Sequence, residues 1–185
     1  MNLDSSNNKY ISSLIYDNSA NINNFNTVIL IDSKIKKVDE FIKNTNPSTF
    51  SIIYSENSCK EELKTLFKSK FIKIDRLGII TYNSDIKNEK VFFDNKKIFI
   101  QDDLNENLEQ YSENTQFLIE LIKEYKIKNF DYLDYSILEY NIWDSFYQIL
   151  VKETNVIVGS FSDGNGSLKY IGNNNNSPVL PSHPN

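Results

Sequence analysis

Apolar residues along this chain come in two rhythms, short unbroken runs and stripes at helical spacing, and the two alternate. Thr27-Val28-Ile29-Leu30-Ile31-Asp32 is apolar until it closes on an Asp, the pattern of a strand buried on both faces. Ile35, Val38, Phe41 and Ile42 follow at intervals of three and one, with lysines between them, and predict a helix. Thr49 to Tyr54 is a second β-branched run. Ser58-Cys59-Lys60-Glu61 predicts a capping box at the next helix start, the hydroxyl and carboxylate satisfying open backbone amides. Leu63, Leu66 and Phe67 supply that helix's buried stripe, and Leu77 to Tyr82 is a third strand.

The rhythm then changes. Lys90 to Phe93, Asp94-Asn95 and Lys96 to Ile100 predict a β-hairpin with an Asp-Asn turn. Phe117, Leu118, Leu121 and Ile122 mark a helix ending near Lys126, and Phe130 to Ile137 is a fourth main strand. Trp143, Phe146, Tyr147, Leu150 and Val151 recur at helical spacing before a fifth strand, Asn155 to Gly159. A Ser162 to Gly166 turn leads to a short last strand, Leu168 to Ile171. Strands alternating with helices predict an α/β fold: a three-layer αβα sandwich around a mainly parallel, doubly wound (flavodoxin-like) sheet, with one inserted hairpin. That domain is expected over 27–172. An Asn/Ser-rich arm, 1–26, precedes it, with an apolar island at Leu14-Ile15-Tyr16 expected to dock on the domain or a partner, and an Asn/Pro-rich tail, 173–185, follows.

Composition narrows the chemistry. At 185 residues, 39% hydrophobic and 24% charged, the chain has enough for one ordinary core. One Cys and one His exclude a disulfide framework and a Cys/His zinc site. A formal charge of −5 argues against a broad nucleic-acid surface, which needs clustered cations. Five glycines leave little for a phosphate loop; Gly159 to Gly164 has the two-glycine spacing, but neither a lysine nor a helix follows. Residues 1–20 carry no basic stretch followed by an apolar run, so no secretory signal is expected, and no stretch approaches the roughly 20 apolar residues of a membrane span. The 26 asparagines, with Lys outnumbering Arg nineteen to one, read as AT-rich coding.

Few residues are candidates for chemistry. Cys59 stands at a predicted helix start, where the dipole favours a thiolate, and against that it is simply a small residue at a helix start. His183 lies in the tail. Asp32, Asp134 and Asp163 fall at or near predicted strand ends, where open α/β sheets bind ligands; they are candidates for a divalent metal in a hydrolase or for a small-ligand site, and equally turn formers. Phe92, Phe93 and Phe99 in the hairpin are expected to leave an outward apolar patch, a docking surface.

The order of segments resembles a caspase-like domain of unknown function found near the start of very large bacterial surface and adhesin-like proteins, with viral relatives. The resemblance runs from Thr27 to Ile171 and rests on Val28 to Ser33, Leu77 to Tyr82, Asp131 to Ser136, and Val158-Gly159-Ser160 through Gly166 to Tyr170. It implies a His at the end of the Leu77 to Tyr82 strand and a nucleophilic Cys at the end of the Asp131 to Ser136 strand. Tyr82 occupies the first position, with Asn83 beside it, and Tyr135, Ser136 or Ile137 the second. Attack by a thiolate needs a thiol and a nearby base, so the resemblance implies the fold without the reaction and without a cofactor. It further implies protein partners, with the hairpin phenylalanines, the arm and the tail at Pro178 and Pro181 as contact segments. With the AT-rich coding, the setting implied is a large DNA virus particle or its host's cytoplasm.

Overall fold

The computed structural model describes residues 13–18, 25–55, 57–81, 89–91, 97–100, 113–133, 141–161 and 168–172; at 89–91, 97–100, 113–114, 141–146, 161 and 168 the backbone alone is described. Among these residues seven strands form one mixed sheet: β1 (Ile15–Tyr16), β3 (Thr49–Tyr54), β2 (Thr27–Asp32), β4 (Arg76–Ile80), β7 (Asn129–Tyr132), β8 (Ile157–Phe161) and β9 (Leu168–Ile171), in that spatial order. The five central strands run parallel, and β1 and β9 close the edges antiparallel. Taken in chain order, the parallel strands stand second, first, third, fourth, fifth, so the direction of winding reverses between β2 and β4. The chain therefore has an α/β fold, and among the described residues no helix is long and apolar enough to cross a membrane.

Alternation along the strands gives the sheet two unlike faces. Val28, Leu30, Phe50, Ile52, Leu77, Ile79, Phe130, Tyr132 and Val158 share one hydrophobic core with side chains of α2 (Lys60–Lys70), α3 (Glu113–Glu124) and α4 (Asn141–Thr154). The opposite face carries Ile29, Gly78, Asp131 and Leu133, and α1 (Val38–Lys43) lies against it. That short helix buries none of its side chains, and cavities of about 490 and 350 Å³ open along it.

Several elements differ from expectation, each for a local reason. The capping box lies one residue later, between Cys59 and Glu62, because Ser58 Oγ is engaged before the helix, accepting the Ser55 amide at 3.0 Å. The fifth strand begins at Ile157 rather than Asn155, since α4 runs to Thr154 and Asn155 ends it in the left-handed conformation (φ 60°), which Asn tolerates. The fourth strand pairs over Asn129–Tyr132, one residue earlier than expected and shorter. In the hairpin, β5 (Glu89–Val91) and β6 (Lys97–Ile100) keep the register of an Asp94-Asn95 turn at Glu89↔Ile100 and Lys90↔Phe99, and an irregularity at Lys90/Val91 then pairs Val91 with Lys97. Within the Asn/Ser-rich arm, residues 13–18 supply an edge strand, with Leu14 in the core.

Candidate functional site

Open parallel sheets bind ligands beyond the strand C-termini, at the point where winding reverses. Here that edge is built from Asp32, Tyr54, Thr81, Tyr132 and, from β8, Ser160. Asp32 is committed to its own turn: its carboxylate accepts the Lys34 amide at 2.9 Å, and its carbonyl accepts the Ile35 amide at 3.0 Å. Behind it lies a belt of buried phenols. Tyr54 donates to the Ile80 carbonyl at 3.4 Å, and Tyr132 and Tyr147 of α4 are fully buried. Burial raises all three phenols above their ordinary value, with the Asp32 charge adding to the effect at Tyr54. At neutral pH they are uncharged, fit to donate hydrogen bonds and unfit to act as bases.

The β4 and β7 ends lie side by side, since the strands pair directly and the Leu133 amide donates to Ile79 at 2.8 Å. The loops expected to carry an imidazole and a thiol thus leave neighbouring strands. Tyr82, Tyr135, Ser136 and Ile137 in those loops lie outside the described residues, as do Asp134, Asp163, Phe92, Phe93, Pro178, Pro181 and His183; of Phe99 only the backbone is described. Cys59 is found instead in the β3–α2 connection, with β2 between β3 and β4, and is half-buried as the helix cap. Among the described residues no three His, Cys, Asp or Glu side chains are grouped to hold a metal ion.

A second cluster escaped the reading of the sequence. The chain's single arginine, Arg76, is buried at the start of β4, and its Nε donates to Asp131 Oδ2 on β7. Its Nη2 lies 3.4 Å from the Tyr170 hydroxyl on β9. Burial disfavours the charge of Arg76, but Asp131 and Tyr170 outweigh it and hold the guanidinium above its ordinary value. Burial raises the Asp131 carboxyl, and Arg76 brings it only part of the way back. Asp131 faces a position on β8 that lacks a side chain: a Cβ on Gly159 would collide with Asp131 Oδ1 and stand 3.1 Å from the Tyr170 ring. Gly159→Ala is therefore expected to destabilise the fold by about 1–3 kcal/mol, as over-packing does, measured as a fall in the urea midpoint. Gly78, on the other side of Asp131, has room for a Cβ at 3.5 Å from Ile29, and Gly78→Ala should cost less.

What the fold defines is a class, an α/β protein with a mixed seven-stranded sheet whose parallel centre winds in both directions. Compared with protein-family models, curated proteins and solved structures, the chain matches none.

Proposed function

We propose that this chain is a caspase-like αβα module that has lost its reaction and works as a structural or protein-interaction component, in a large DNA virus particle. The observation that carries the reading is the adjacency of β4 and β7. A thiol and an imidazole placed after these strands would meet, and the chain puts Tyr82 after one and Tyr135-Ser136-Ile137 after the other. The mainly parallel sheet, wound in both directions, suits the same reading. The phenols of the described edge are neutral donors, and one carboxylate oxygen of Asp32 holds its own turn.

The test is hydrolysis of a fluorogenic peptide library by the full chain, from pH 5 to 9. The expected result is the rate of buffer alone. Turnover abolished by Ser136→Ala or by Cys59→Ala would overturn the reading.

A further inference from the structure

The arm strand β1 sits in a seat whose parts are made by other elements. Its backbone adds antiparallel to the edge of β3, Ile15 opposite Ile53 and Tyr16 opposite Ile52. Its amide at Ser13 donates to Glu62 Oε1 at 3.0 Å, and the Ser13 hydroxyl donates to Glu62 Oε2 at 2.6 Å and lies 2.8 Å from Ser58 Oγ. Both receiving groups are already held in place. Glu62 accepts the Cys59 amide at 3.2 Å in the capping box, and Ser58 accepts the Ser55 amide. Leu14 enters the core, Tyr16 packs on Phe50 with ring centroids 6.1 Å apart, and Lys70 reaches Asn18 at 3.0 Å. Ile15, between the two anchors, is 63% exposed. Alternate side chains in pockets and main-chain bonds along a sheet edge are the two halves of strand-addition recognition.

We infer that this seat is a docking site for an extended Ser-Leu-x-Tyr segment, filled in cis by residues 13–18 and in trans by the same segment of a second copy. The inference rests on the reading of the chain as an interaction module and names its site and partner. Exchange remakes each of these contacts of residues 13–18, so the seat accepts the segment equally from its own chain or from a second copy. Covalent connection favours the segment's own chain in dilute solution, and concentration in an assembly favours passage between copies.

The experiment uses full-length variants. Leu14→Asp vacates the seat, and Glu62→Ala damages the seat while leaving the arm whole. A fluorescent peptide of residues 9–18 should bind Leu14→Asp saturably, at least tenfold more weakly when the peptide itself carries Asp at the Leu14 position. Mixing the two variants should give a heterodimer by sedimentation that neither forms alone. Should Leu14→Asp fail to melt cooperatively, Ser13→Pro takes its place, since it deletes both donors to Glu62 and spares the core. Absence of saturable peptide binding to the folded variant overturns the inference, and binding without heterodimer overturns the second copy as occupant. Either result leaves the non-catalytic reading standing, which peptide hydrolysis alone would remove.

The same latch sets an acid limb. Although burial pushes the Glu62 carboxyl up, its bonds from Ser13 and Cys59 outweigh this and hold it below its ordinary 4.5. A carboxylate lowered on folding contributes stability in full above its unfolded value and loses it as pH falls through the folded one. The gap in urea midpoint between the natural chain and Glu62→Gln should be constant from pH 7 to about 5 and close below pH 4.5.

Discussion

Asp131→Ala is expected to lower the stability of the folded chain by about 3–5 kcal/mol, a large share of the 5–15 that single domains possess. The loss comes mainly from what remains. Arg76 would keep a positive charge with 7% of its side chain exposed and lose the carboxylate that receives its Nε. A buried charge without its counter-ion costs far more than the pair contributes. Replacing both residues, as Arg76→Met with Asp131→Leu, should therefore recover most of the loss. Urea titration of the natural chain, the single variant and the double variant reads all three. A single variant within about 1 kcal/mol of the natural chain would mean that solvent reaches the pair.

Phe67→Ala should cost a similar amount, about 3–5 kcal/mol, for an apolar reason. Phe67 is fully buried in α2 and lies edge-on to Phe71, at 5.5 Å between ring centroids, and to Tyr125, at 5.4 Å. Phe71 in turn meets Phe50 of β3 edge-on at 5.3 Å, and Phe50 meets Tyr16 of β1. Removing the ring opens a cavity at the centre of a chain of aromatics joining the arm, the sheet, α2 and the end of α3. Phe67→Leu keeps most of the volume and should cost about 1 kcal/mol. A loss below that from Phe67→Ala would place the ring outside the core.

The strands were legible because burial on both faces leaves unbroken apolar runs, and α2, α3 and α4 because one face of each is buried. Val28 to Ile31 and Leu63, Leu66 and Phe67 stand where those patterns put them. The Arg76–Asp131 pair was not legible, because it depends on register. Gly78, Asp131 and Gly159 become neighbours only when three strands separated by long connections align. Signals were nonetheless present: one arginine in a chain of lysines, a carboxylate inside an apolar run, and glycines inside two strands, where glycine marks close approach. The edge strand was foreshadowed by the island at Leu14 to Tyr16, but its seat was not. The partners of Ser13, at Ser58 and Glu62, are more than forty residues away in sequence.

The central claim, a fold without its reaction, is tested most directly at the one thiol the chain possesses. Cys59, half-buried in its capping box, should react with a peptidyl acyloxymethyl ketone no faster than a free cysteine peptide, without saturation and without sequence preference, followed by intact mass. A saturable adduct at Cys59 formed many times faster than the peptide control, or a stoichiometric adduct at Ser136, would contradict it.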